Sequence, residues 1–270
     1  MDMADPRTER TRLDAPGGAV AAWTTAADHD APPLVLLHSL GLDGRVFAPV
    51  VRVLATRRRC LALDLPGHGG TGADHGFDLT DAAARVAAVV SSQARPVDLL
   101  GVSLGGVVAQ LVATRVPAAV RRLVLAHTFA YLPTGDARLA DQRRRVAALP
   151  DPALWAASRA DAVLSSDAPR ECRDLFVAAA TAMDPARFVE AAAAVYTVDL
   201  RADAARIERP TLVVAGRHDD RVPAAATDAL AALLPDARVT TVDGGHLSHL
   251  DRPGEFAATV ATFLDQECRA

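Results

Sequence analysis

The chain alternates short, largely apolar runs with longer segments of helical spacing, and this alternation predicts most of its architecture. The short runs are Leu34 to Leu37, Cys60 to Leu65, Val97 to Leu100, Arg122 to Ala126, Pro210 to Ala215 and Arg238 to Val242. Apolar runs of this length fit strands buried on both faces of a sheet. Between them lie segments whose apolar residues recur three and four apart: Asp43 to Thr56, Leu79 to Gln93, the stretch after Gly106, Ala224 to Leu234, and Pro253 to Gln266. Such spacing puts one apolar stripe on a helix, and either Asp78 or Thr80 fits the cap of the second. Strands alternating with helices imply right-handed crossovers and a mostly parallel sheet. Ahead of this rhythm, Leu13 to Thr25 reads as a β-hairpin turning at Pro16-Gly17-Gly18, preceded by a polar, flexible arm over residues 1–12.

The rhythm stops near His127. From Ala130 to Val198 the chain is rich in Ala, Arg and Asp, with helical periods broken at Pro133, Pro150-Asp151-Pro152, Pro169 and Pro185. A stretch of short helices without a buried strand, inserted between two strands, suits a lid. The expected organisation is an α/β core formed by residues 13–128 and 199–268, with a helical cap over 129–198.

Composition narrows the function mainly by exclusion. Half of the 270 residues are apolar, enough for one large core, and the net charge of −4 gives no reason to expect nucleic acid. All 29 basic residues are arginine, and the absence of lysine excludes a phosphate-binding P-loop, a Schiff base and a kinase site. Three distant cysteines, Cys60, Cys172 and Cys268, suit free thiols in a reducing compartment rather than disulfides or a metal site. Neither an apolar leader core nor a membrane-length apolar run is present, so a soluble, cytoplasmic protein is expected.

The candidate chemistry centres on Gly101-Val102-Ser103-Leu104-Gly105, which joins an apolar strand directly to a helical pattern. A serine on a sharp strand-to-helix turn is exposed above the sheet, and the next residue's amide lies at a helix start. The hydroxyl needs a base to take its proton and an acid to hold that base, in the order Ser, Asp or Glu, His. Asp219 follows one buried strand and leads as the acid, with Asp220 as alternative. His246, preceded by Gly244-Gly245 after the next strand, leads as the base, with His249 as alternative. His218 reads as a loop residue beside the acid, and His68 as a residue bonding backbone in its Pro-Gly-His-Gly loop. The amides of Leu40 and Leu104 are the expected oxyanion donors. His38, Ser39 and His127 are candidates for the pocket wall, with a core or lid contact as the alternative for His127.

With these segments in place, the chain resembles the α/β-hydrolase superfamily over roughly residues 13–268. The resemblance rests on Leu36-Leu37-His38-Ser39-Leu40-Gly41, Asp64-Leu65-Pro66-Gly67-His68-Gly69, the turn at Ser103, Gly216 to Pro223 and Gly245-His246. Thr197-Val198-Asp199-Leu200-Arg201 and the stretch from Gly245 to Pro253 are similar to the 3-oxoadipate enol-lactonase subgroup, with its related small esterases and perhydrolases. One departure is His38-Ser39, where most of the superfamily carries His-Gly.

The resemblance implies a Ser103–Asp219–His246 triad under a helical cap, acting on a small ester or lactone with neither cofactor nor metal. Arg143, Arg144 and Arg159 are candidates to hold a substrate carboxylate. A tailoring enzyme of secondary metabolism and a non-catalytic ligand-binding protein are the rival readings. No nucleic-acid or membrane partner is expected, and the oligomeric state, a homodimer included, stays open.

Overall fold

The computed structural model describes residues 8–25, 29–73 and 76–266. Eight strands, β1 (Thr8–Leu13), β2 (Val20–Thr25), β3 (Leu34–Leu37), β4 (Cys60–Leu63), β5 (Val97–Val102), β6 (Val120–Ala126), β7 (Thr211–Gly216) and β8 (Ala237–Val242), form one sheet in the order β1-β2-β4-β3-β5-β6-β7-β8. The pairs β1–β2 and β2–β4 are antiparallel, and every later pair is parallel. The apolar runs are thus the parallel strands, as expected, although Arg238–Val242 falls in β8 at the sheet edge, where only Val242 is buried. Leu34 and Leu36 of β3 pack on one face of the sheet and Val35 and Leu37 on the other, which is why no polar position interrupts the run.

Helices α1 (Ala48–Leu54) and α11 (Pro253–Leu264) cover the first face. The opposite face carries α2 (Leu79–Ser91), α3 (Leu104–Arg115) and α9 (Ala224–Leu233). Asp78 is the cap of α2, its carboxylate accepting from Asp81 N–H. Short helices α8 (Arg201–Ala204) and α10 (Ser248–Asp251) complete the connections. Among the described residues, no helix is long and apolar enough to cross a membrane.

Between β6 and β7 the chain forms α4 (Gly135–Ala148), α5 (Pro152–Val163), α6 (Arg170–Thr181) and α7 (Pro185–Tyr196). The prolines that break the helical periods mark helix starts. Pro152 and Pro185 each open a helix behind an aspartate, Asp151 or Asp184, whose carboxylate accepts two backbone N–H groups. A single bridge between Tyr131 and Asp199, with Leu200 N–H donating to Ala130 O at 2.8 Å, ties the two ends of this insertion together.

One expectation needs correction. Residues 8–12 were assigned to the flexible arm, yet they form most of β1, in register with β2 from Thr8–Thr25 to Leu13–Val20. The strand is an edge, largely open to water, so its sequence carries charge where a central strand carries apolar residues. Arg10 adds a cation–π contact, 5.5 Å from the centre of the Trp23 ring. Residues 1–7 and Cys268 lie outside the described residues.

Helix α3 packs unusually close to the sheet. A Cβ on Gly105 would lie 2.1 Å from the carbonyl oxygen of Leu37, a backbone atom that cannot swing aside. Gly105→Ala is therefore expected to lower stability by about 3 kcal/mol. Gly254, with nothing near its Cβ position, should accept alanine with no loss or a gain of about 0.5 kcal/mol. Denaturant unfolding of both variants checks the contrast, and equal behaviour would refute the close-approach explanation.

Candidate active site

Strand β5 ends at Val102 and α3 begins at Leu104, so the whole reversal falls on Ser103, at φ 54° and ψ −113°. A positive φ strains a residue with a side chain and persists only where neighbours hold it. Ser103 N–H donates to Ala126 O at 2.9 Å, and the Ser103 carbonyl accepts from the Thr128 hydroxyl at 2.9 Å and from Gly106 N–H at 2.9 Å. The Ser103 hydroxyl donates to His246 Nε2 over 3.1 Å. Leu104, first in the helix, has no acceptor four residues back for its N–H.

Asp219 follows β7 and is nearly enclosed. Its Oδ1 accepts from Arg221 N–H at 2.8 Å and Val222 N–H at 2.9 Å, and its Oδ2 accepts from His246 Nδ1 at 3.0 Å. A fourth donor is His127 Nδ1, 3.1 Å from Oδ2. Burial pushes the Asp219 carboxyl up, but the charge His246 can carry and the bonds from His127 and His246 outweigh it and hold the group far below the usual range. Asp219 is thus a fixed anion. Asp251 Oδ2 accepts from Gly245 N–H at 2.8 Å and its Oδ1 from Ser165 N–H at 2.8 Å, pinning the His246 loop to the end of α5.

The alternatives raised by the sequence separate clearly. Asp220 is exposed and faces Arg221, while His249 is buried between Phe47 and Phe256. His218 is exposed beside Asp243. His127 does not line the pocket. It lies behind Asp219, at φ 52° after β6, with its Nε2 accepting from the Ser248 hydroxyl at 2.7 Å. Its support of Asp219 is the part of the site that sequence reasoning missed, and the available signal was its place at a strand end beside the Asp219 strand. Nitrogens of His127 and His246 and an oxygen of Asp219 lie within 4.8 Å of one another, close enough for a metal. Both Nδ1 atoms, however, carry the protons bonded to the carboxylate, and a cation would have to displace them.

His38 also lies away from the pocket wall. Its ring is fully buried, with Nδ1–H donating to Ser39 O at 2.9 Å and Nε2 accepting from Leu65 N–H at 2.9 Å. His68 repeats the arrangement, donating to Pro66 O at 3.0 Å and accepting from Gly41 N–H at 3.1 Å. The two rings sit 5.1 Å apart and clamp the loop after β3 to the loop after β4. Burial favours their neutral forms, lowering His38 and taking His68 down to about 3. In the loop after β3, Gly41 N–H is committed to His68 and Leu42 N–H to Ser39 O. Leu40 N–H has no such partner among the described residues.

Ser39, Leu40, Ser103 and His246 floor a cavity of about 250 Å³ roofed by the inserted helices. Trp155 and Arg159 of α5, Phe188 and Tyr196 of α7, and Arg221 form its walls. Arg143 and Arg144 are exposed on α4, Arg144 pairing with Asp141, whereas Arg159 lies in the cavity wall.

The model of the alpha/beta hydrolase family matches residues 34–259. The chain is 31% identical to part of the polyketide synthase ThaQ of Burkholderia thailandensis, over 96% of its own length and 13% of that much longer protein. It is 32% identical to the pimeloyl-(acyl-carrier protein) methyl ester esterase of Xanthomonas axonopodis pv. citri, over 83% of this chain and 92% of the relative. The crystal structure of the enol-lactonase from Burkholderia xenovorans LB400 superposes with a TM-score of 0.81 at 24% identity, covering 95% of this chain and 100% of that one, which shows a shared fold.

The buried neutral histidines make stability depend on pH. The unfolded chain protonates them near pH 6.5, while the folded chain protonates His68 only near 3. Below pH 6.5 the unfolded state therefore binds more protons and stability falls, by up to about 1.4 kcal/mol per pH unit for each such group. Urea unfolding at pH 7.5, 6.0 and 4.8 should show this fall, and His68→Gln should make it shallower. An unchanged slope in the variant would contradict the assignment of a neutral His68.

Proposed function

Because the chain belongs to the alpha/beta hydrolase family, we propose that it is a serine hydrolase of small carboxylic esters or lactones. The observation that carries this reading is the continuous relay from the Ser103 hydroxyl to His246 at 3.1 Å and from His246 to Asp219 at 3.0 Å. Ser103 attacks the ester carbonyl while His246 Nε2 takes its proton. The charge that develops on the imidazole faces the Asp219 carboxylate, which also fixes the tautomer. The tetrahedral oxyanion accepts from the Leu40 and Leu104 amides, each worth on the order of 3 kcal/mol in such sites. His246 then protonates the leaving alcohol, and water repeats the sequence on the acyl-enzyme. Helices α4 to α7 act as the cap that excludes bulk water.

The cavity is small and mostly apolar at Trp155, Phe176 and Phe188, which suits a short acyl group. Its lining includes Arg145, Arg159 and Arg221 and no carboxylate, which favours neutral or anionic substrates over cationic ones. A second reading is favoured by the match to part of a polyketide synthase: release or transfer of an acyl group from a thioester, by the same acyl-enzyme chemistry.

A p-nitrophenyl acetate and butyrate assay is expected to show a burst and turnover in the wild type and neither in Ser103→Ala. Asp219→Asn should lower kcat by about 10⁴-fold, and Asp220→Asn should change it by no more than about twofold. A burst that survives Ser103→Ala would refute the assignment. A thioester panel separates the two substrate readings.

A further inference from the structure

Arg159 is half-buried in the inserted helices yet has no carboxylate partner among the described residues. Its guanidinium lies 4.7 Å from the centre of the Trp155 ring, 4.5 Å from Phe188 and 5.4 Å from Phe176. Its Nη2 donates to the carbonyl oxygen of Leu40 at 2.8 Å and its Nη1 to that of Gly41 at 3.4 Å. The opposite end of the Leu40–Gly41 peptide, the Gly41 N–H, donates to His68. One peptide plane is therefore gripped from the cap by Arg159 and from the core by His68. The preceding peptide carries the Leu40 N–H, and its own carbonyl, Ser39 O, accepts from His38 Nδ1 at 2.9 Å and from Leu42 N–H at 3.2 Å, so the planes on both sides of the Leu40 Cα are held.

Packing leaves the loop no slack. Gly41 has φ +68°, and a Cβ there would fall 2.7 Å from Phe188 and 2.8 Å from Arg159 Nη1. Burial lowers Arg159 only to about 10, so the guanidinium is charged at neutral pH and its hydrogen bonds are charge-assisted.

We propose that Arg159 is a positioning residue through which the inserted helices set the oxyanion loop, so that the Leu40 amide is aimed for catalysis only while α5 is seated on that loop. The inference rests on the serine-hydrolase reading above. It assigns Arg159 to the loop rather than to a substrate carboxylate. Lysine cannot replace it, because a single compact ammonium does not span two carbonyls while also filling the space among three rings.

The test compares wild type, Arg159→Ala and Arg159→Lys on p-nitrophenyl butyrate and on a p-nitrophenyl ester bearing a free carboxylate. Affinity for butylboronic acid, which forms a tetrahedral adduct on serine, is measured alongside, and thermal melting monitors folding. For Arg159→Ala, kcat is expected to fall about 100-fold on both esters with KM changed by less than about threefold, the size of effect seen when an oxyanion donor is lost. Boronate affinity should weaken in parallel. Added guanidinium chloride at millimolar concentration should restore part of kcat, by refilling the space between the aromatic rings, and lysine should restore less.

Three results would overturn the proposal: a rise in KM confined to the carboxylate ester with kcat kept, unchanged kinetics, or a loss of kcat without rescue in a variant that melts early. The first makes Arg159 a substrate anchor and leaves the serine-hydrolase reading intact. Absence of turnover and of boronate binding in the wild type would instead remove that reading and this proposal with it.

Discussion

Everything at the candidate site depends on one strained residue. Ser103 turns the chain from strand to helix with a positive φ, and it can do so because glycines on either side let α3 rest directly on the sheet. The cost of that conformation is offset by hydrogen bonds that Ser103 itself makes, its N–H to Ala126 O and its carbonyl from the Thr128 hydroxyl. Once the turn is fixed, the hydroxyl stands above the parallel strands, where the loops after β3, β6, β7 and β8 converge. Each supplies one component: Leu40, His127, Asp219 and His246.

Around this turn the protein surrounds one buried anion with donors. Asp219 receives two backbone amides and two imidazoles, so it stays ionised despite its burial. The buried histidines elsewhere are kept neutral for the opposite reason: burial disfavours their charged form, and His38 and His68 are used as neutral donor–acceptor bridges between loops. The same side chain thus links Ser103 to Asp219 in one place and braces two loops in another, and the difference lies in solvent access and in partners. The cap adds a third element, the Arg159 guanidinium, which reaches the loop that the braces hold.

The sheet and the turn were legible in the sequence because both are local. Apolar runs report strands buried on two faces, and Gly101 and Gly105 report a close approach within five residues. The carboxylate that meets His246 was only half legible. Asp219 and Asp220 are adjacent and chemically equal, and what separates them is the backbone of the following loop, whose Arg221 and Val222 amides close on Asp219 alone. His38 and His127 looked like pocket residues because a polar residue at a strand end commonly faces the ligand. What holds them inward is Leu65 for His38 and Asp219 and Ser248 for His127, all distant in sequence. Strand β1 escaped notice because an edge strand in water needs no apolar period. The position of Arg159 depends on how α5 docks on the core, which no local pattern encodes.

The central claim is that Ser103 is the group activated by this network. Its most direct test is to treat the native protein with a fluorophosphonate and locate the adduct by peptide mass spectrometry. The account predicts a single adduct on Ser103, formed quickly by the native protein and not after unfolding. No adduct, or one on another residue, would contradict it.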